Sequence, residues 1–123
     1  MKILGIDHGT KRLGLALGDT ETCLALPWKT IEVARADAAR IITRIVAEER
    51  VDEVVVGLPI GGSQSPVVQS FVNDLHAALK IPVRTVDELM TSQIADRLRK
   101  ESSVHSRDTL AATEILQSYL DQI

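Results

Sequence analysis

Ile3-Leu4-Gly5-Ile6-Asp7-His8-Gly9-Thr10-Lys11-Arg12-Leu13-Gly14-Leu15-Ala16-Leu17 is where the chain first declares its architecture. Two apolar runs, Ile3 to Ile6 and Leu13 to Leu17, flank a polar turn in which Gly9 can take a positive φ without steric cost. Apolar runs this short, without polar alternation, read as strands buried on both faces. The segment is therefore a largely buried β-hairpin whose turn carries an acid, a histidine and two cations. Gly14 and Gly18 predict a close approach of other backbone to the second strand.

Working outward, a third strand falls within Cys23 to Val33, with Leu24, Leu26, Trp28 and Ile31 as its apolar residues. Pro27 lacks a backbone N–H, so this strand belongs at an edge or carries a bulge. The period then changes. Ala38, Ile41, Ile42, Ile45 and Val46 share one helical face, with Arg40, Thr43, Arg44 and Glu48 on the other. Val51 to Pro59 returns to a β run centred on Val54-Val55-Val56, and the loop Ile60-Gly61-Gly62-Ser63-Gln64-Ser65 leads to Pro66 at a first helical position. Val68, Phe71, Val72, Leu75 and Leu79 mark the helix that follows, and Ile81 to Glu88 a fifth strand. Met90 to Lys100 and Ser106 to Ile123 read as two more helices, with Ser106 as N-cap of the second. The order β-β-β-α-β-α-β-α-α needs parallel crossovers in its second half beside the opening antiparallel hairpin. The expected class is α/β, a mixed five-stranded sheet flanked by helices on both faces.

The 123 residues are 45% hydrophobic and 25% charged, which excludes a disordered tail, a collagen-like chain and a charged linker. A chain of this length buries roughly two-thirds of its unfolded surface, enough for one core, so residues 1–123 are expected to form a single domain. No apolar run approaches the ~20 residues of a membrane span. The N-terminus meets Lys2 and Gly5 too soon for a signal peptide, and a lone Cys23 forms no internal disulfide; the expected location is cytoplasmic. A net charge of −3 speaks against a broadly basic, phosphate-covering surface. A site needs only a patch, however. Arg97, Arg99, Lys100 and Arg107 lie close together with Glu101 the only acid among them, and Lys11 adjoins Arg12.

In open sheets with parallel strands, functional groups collect where those strands end. Asp7 ends the first strand; Asp87 and Glu88 end the fifth. Asp108 lies in the first turn of the last helix, where free N–H groups favour a carboxylate. It continues the apolar stripe of Ala112, Ile115 and Tyr119, so it is expected to point at the sheet. Taken singly, each acid is more often a turn former or a cap. Brought together, buried carboxylates want a compensating charge, and a divalent cation is one.

Asp7-His8-Gly9-Thr10-Lys11-Arg12-Leu13-Gly14 resembles the opening motif of the YqgF (RuvX) family, relatives of the RuvC Holliday-junction resolvases with a ribonuclease H-like fold. The resemblance continues through Asp52-Glu53-Val54-Val55-Val56-Gly57-Leu58-Pro59, Val86-Asp87-Glu88, and Asp108 with Ala111-Ala112 and Ile115-Leu116-Gln117-Ser118-Tyr119-Leu120. It implies a metal-dependent endonuclease that processes the 5′ end of precursor 16S ribosomal RNA, with junction resolution on branched DNA as the alternative and a catalytically weak RNA- or ribosome-binding module as a third reading. The implied metal ligands and catalytic acids are Asp7, Glu88 and Asp108, and oxygen-only ligands suit Mg²⁺ or Mn²⁺. The implied substrate contacts are Thr10, Lys11, Arg12 and Arg107 beside the acids, and Gly61, Gly62 and Ser63 in the loop. Leu89 stands where the family commonly has Arg, and the loop after Pro59 is shorter than usual; neither change removes a ligand. The implied partners are precursor rRNA, within ribosomal particles, acted on by a monomer or a homodimer.

Other residues have plainer readings. His8 adjoins Asp7 and fits either a phosphate contact or a turn; His76 reads as structural, and His105 as a loop residue. Cys23 reads as an inert packing thiol. Trp28, Phe71 and Tyr119 are too few and too core-like to form a base-stacking platform. Gly5-x-Asp7-x-Gly9-Thr10 also resembles the phosphate hairpin of actin-like and sugar-kinase ATPases, which close two such domains around a nucleotide where this chain holds one.

Overall fold

The computed structural model describes residues 1–9, 11–58, 65–87 and 107–123. Within them lie strands β1 (Lys2–His8), β2 (Arg12–Asp19), β3 (Leu24–Glu32), β4 (Glu53–Leu58) and β5 (Val83–Asp87). The helices are α1 (Ala38–Glu49), α2 (Ser65–Ala78) and α3 (Arg107–Gln122), with a 3₁₀ turn at Arg35–Asp37 ahead of α1. The strand order is β3-β2-β1-β4-β5. β1 pairs antiparallel with β2 and parallel with β4; β2–β3 is antiparallel and β4–β5 parallel. The apolar hairpin thus supplies the middle of a mixed sheet. Val54, Val55 and Val56 in β4 are all fully buried, as a strand covered on both faces requires.

The sheet divides the core in two. Leu4, Ile6, Leu13, Leu15, Val54 and Val56 face α1 and α2, meeting Ile42, Ile45, Val68, Phe71, Val72 and Leu75. Ile3, Ala16, Ala25, Val55 and Val86 face α3, meeting Ala112, Ile115, Leu116 and Leu120. Period-two alternation assigns the β1 residues from Ile3 onward to a side: Leu4, Ile6 and His8 to the α1/α2 face, Ile3, Gly5 and Asp7 to the α3 face. Each fully buried aliphatic side chain contributes about 1.5–3 kcal/mol. α1 stops at Arg50, whose left-handed backbone (φ 55°) lets its N–H reach the Val46 carbonyl.

The differences from the sequence reading are local. The fifth strand starts at Val83 rather than Ile81 and is described as far as Asp87, and Pro66 is the second residue of α2 rather than the first. β3 is an edge strand among the described residues, and its register slips so that Leu15 faces Lys29 while Ala16 faces Pro27. Trp28 is the extra residue of that bulge, placed beside the proline that cannot donate to the ladder. Cys23 is exposed, not packed: it holds a positive φ of 54° in the β2–β3 turn, its thiol directed at the Thr20 carbonyl. His76 is likewise exposed on α2. The expected helix over Met90 to Lys100 lies outside the described residues.

Candidate active site

Asp7 is half-buried at the carboxyl end of β1, opposite Gly14 of β2, on the face covered by α3. Two features bring α3 close to it. A Cβ on Gly5 would stand 2.7 Å from Leu116 Cβ and 3.0 Å from the Ala112 carbonyl oxygen, so only glycine lets the helix settle at this depth. The helix direction follows from contacts at its two ends. The Thr109 hydroxyl bonds the Thr30 hydroxyl at 2.7 Å, and Gln117 Oε1 accepts from the Ala25 N–H at 2.9 Å. Thr30 shares a row of the sheet with Gly14 and Asp7, whereas Ala25 shares one with Gly18 and Ile3. The first turn of α3, which contains Asp108, therefore lies over the Asp7 end of the sheet.

The remaining expected ligand, Glu88, lies outside the described residues, directly after the last residue of β5. β5 runs parallel to β4, and β4 to β1, so all three strands end on the same side of the molecule as Asp7. Val86, two residues before Glu88, packs in the α3-side core. The backbone thus brings the Asp7 and Asp108 positions to one end of one face. Carboxylate oxygens are the donor set a hard divalent cation takes, and the close-packed Gly5 lets the backbone of α3 settle close to the sheet. Among the described residues no cluster of three His, Cys, Asp or Glu side chains is complete, since only Asp7 of the three acids has a described side chain.

Lys11 and Arg12 are exposed in the turn that follows Asp7. The turn is tight: the Gly9 N–H donates to the Arg12 carbonyl at 2.9 Å, and a Cβ on Gly9 would meet that carbonyl oxygen at 2.7 Å. A further bond from the Val33 N–H to the Lys11 carbonyl at 3.2 Å ties the turn to the end of β3. Both cations therefore project from a braced element. Arg107 begins α3; its side chain, like that of Asp108, and Thr10, Gly61, Gly62 and Ser63 lie outside the described residues.

His8 takes the opposite side. It is 8% exposed on the α1/α2 face, with its ring 4.6 Å from that of Phe71. Beside it a groove of about 330 Å³ runs along α2, lined by Pro66, Val67, Ser70 and Asp74. Adjacency to Asp7 in sequence is thus separation by the sheet in space.

Two polar arrangements were not legible from the sequence. One is the Thr30–Thr109 bond. The other, at the far end of the sheet, joins buried Glu53 to Tyr119 of α3, whose hydroxyl donates to Glu53 Oε1 at 2.5 Å, and to Arg84, whose Nε lies 3.3 Å from the same oxygen. Burial, then the hydrogen bond to Glu53 and its charge, raise the Tyr119 pKa above its ordinary value of 10.0, with Arg84 pulling the other way.

Residues 1–122 match the RuvX family, described as Holliday junction resolvase. The chain belongs to the RuvX family. A member from Chloroflexus aggregans, described as a candidate pre-16S rRNA nuclease, is 40% identical over 131 residues, covering 97% of this chain and 92% of its own. RuvC of Thermus thermophilus, solved with a Holliday junction substrate, superposes with a TM-score of 0.72 at 15% identity, over 96% of this RuvX chain and 91% of RuvC. The fowlpox virus resolvase, solved with junction DNA, gives 0.67 at 14% identity, over 99% and 98%. At such identities the likeness establishes the fold: this RuvX chain has the RuvC-like, ribonuclease H-like architecture.

Proposed function

We propose that this RuvX chain is a divalent-metal-dependent endonuclease that hydrolyses phosphodiester bonds at the 5′ end of precursor 16S ribosomal RNA. The observation that carries the proposal is the stacking of the first turn of α3, with Asp108, over the Asp7 end of β1. Membership in a family with members described as pre-16S rRNA nucleases supplies the substrate.

In this reading Asp7, Glu88 and Asp108 hold Mg²⁺ or Mn²⁺ through carboxylate oxygens. The bound ions supply an activated water and stabilise the leaving oxygen. The protein's own work is positional. Asp7 is fixed by the β1–β2 register, and Asp108 by the docking of α3 on Gly5. Lys11 and Arg12 hold phosphates of the strand from the hairpin turn, with Thr10, Gly61, Gly62, Ser63 and Arg107 completing the grip. These contacts concentrate positive charge at one end of a chain whose net charge is −3, so the substrate is gripped locally rather than over a basic surface. His8 stays out of the chemistry, because it faces the other side of the sheet. The proposed substrate implies work in the cytoplasm on ribosomal particles; separately, no helix among the described residues is long and apolar enough to cross a membrane.

The second reading, resolution of branched DNA, draws on the family's description and on the RuvC-like fold. Resolution cuts two strands symmetrically and calls for a homodimer, whereas trimming of RNA needs only a monomer. Labelled precursor 16S RNA and a four-way DNA junction, incubated side by side with Mn²⁺ or Mg²⁺, separate the two. RNA cleavage supports the proposal, cleavage of the junction alone moves the chain to the resolvase class, and RNA retained uncut identifies a binding module.

A further inference from the structure

We infer that the Thr30–Thr109 hydroxyl bond is a positioning device for the metal site, setting the height and lateral place of the first turn of α3 over Asp7; the inference rests on the proposed metal-binding role of Asp7 and Asp108. Thr109 is 3% exposed and directly follows Asp108. Its hydroxyl meets that of Thr30 at 2.7 Å, and its carbonyl accepts from the Thr113 hydroxyl at 2.7 Å, so both its side chain and its backbone are engaged. Thr30 lies in the same transverse row as Asp7, separated from it by Gly14. That row spans two strand spacings, roughly 10 Å. Gly14, in the middle, is buried and contributes no side chain, so the row is a shallow trough with a carboxylate at one end and a hydroxyl at the other.

The far part of α3 is already fixed by the Gly5–Leu116 contact and by the Gln117–Ala25 bond. Both fix how deep the helix sits on the sheet, and both lie C-terminal to its first turn, which they hold less tightly than a contact within that turn does. The Thr30–Thr109 bond is a polar side-chain link made directly between that turn and the sheet. A helix fixed only at its far part transmits small tilts to its free end, where a metal ligand tolerates little error. Because β1, β2 and β3 are one hydrogen-bonded unit, a bond to Thr30 refers Asp108 to the same frame that holds Asp7.

The test is Mn²⁺ binding to the intact, substrate-free protein, measured by electron paramagnetic resonance and calorimetry, for wild type, Thr30→Val, Thr109→Val and the double variant. Valine keeps the shape and removes the hydroxyl. Each single variant is expected to bind Mn²⁺ roughly tenfold more weakly, in the range found when the supports of metal ligands are removed. The double variant should be no weaker than either single one, since one bond is lost in all three, and Thr109→Ser should restore binding. Ile45→Val, in the core on the other face, controls for lost stability: it should lower the melting temperature and leave Mn²⁺ affinity unchanged. Wild-type affinity in both valine variants, or equal weakening by Ile45→Val, overturns the inference alone. Failure of the wild type to bind Mn²⁺ overturns it together with the metal-site reading beneath it.

Discussion

Tyr119 of α3 donates its hydroxyl to the buried carboxylate of Glu53 at the start of β4, 2.5 Å away and at the end of the sheet remote from Asp7. Glu53 is 5% exposed, and Arg84 of β5 approaches the same oxygen at 3.3 Å. One acid thus gathers a helix and the two parallel edge-side strands. Removing the hydroxyl with Tyr119→Phe withdraws a bond from a buried charge and should cost about 1–3 kcal/mol in urea denaturation. Cleavage per folded molecule should not change.

The same pair predicts a pH dependence. Tyr119 has its pKa raised in the fold, so the stability it contributes is complete below its unfolded pKa of 10.0 and is lost as pH rises from there through the folded value. Melting temperature followed from pH 8 upward should fall more steeply above pH 10 for the wild type than for Tyr119→Phe. Parallel curves for the two proteins would remove the linkage.

Gly5→Ala tests how closely α3 must approach β1. The added methyl would stand 2.7 Å from Leu116 Cβ and 3.0 Å from a carbonyl oxygen, neither of which can swing away. Overpacking of this kind costs typically 1–3 kcal/mol. Because the helix can yield only by lifting from the sheet, Mn²⁺ affinity should fall along with the melting temperature. In this it differs from Ile45→Val, which should lower only the melting temperature.

His8→Ala separates chemistry from packing. Losing the ring against Phe71 should cost stability, about 0.5–1.5 kcal/mol for the aromatic contact beyond the area exposed. The rate of cleavage per folded molecule should stay within twofold of wild type, as expected of a residue on the other face of the sheet. A loss of activity comparable to that of an Asp7 variant, with stability intact, would make His8 catalytic after all.

The hairpin cations give a prediction in salt. Lys11→Ala and Arg12→Ala should each weaken RNA binding and lower the slope of log affinity against log salt by about 0.7, the value for one phosphate on a single strand. Filter binding over a series of salt concentrations reads both quantities. An unchanged slope would remove these residues from the phosphate path.

What could be read from the chain alone divides by range. The buried hairpin, the valine run of β4 and the apolar stripes of α1 and α2 are local patterns, and the structure repeats them nearly residue by residue. Pro27 was equally legible, since a missing donor has few places in a sheet, and it sits beside the bulge on the edge strand. The turn at Cys23 was not: a cysteine in the left-handed region has no compositional signature, and the thiol read as core lies in solvent. The family motif marks Asp7 as a candidate site residue, and alternation along β1 places it on the α3 side. The same alternation explains why His8, one residue on, is turned away. Thr30 with Thr109, and Glu53 with Tyr119, are separated by 79 and 66 residues. Such pairs depend on how α3 crosses the sheet, which no short window of sequence contains.

A metal-dependent phosphodiesterase site at the Asp7 end of β1, beneath the first turn of α3, is tested by Mn²⁺-dependent cleavage of precursor 16S RNA by wild type and Asp7→Asn, each shown to be folded by its melting curve. The wild type should cut near the 5′ end, and chelation should abolish cutting. Asp7→Asn should lose roughly 10²–10³-fold or more, the scale of removing one group that stabilises transition-state charge. Cleavage by Asp7→Asn at the wild-type rate, or by wild type in the presence of chelator, would contradict a metal-dependent site at Asp7.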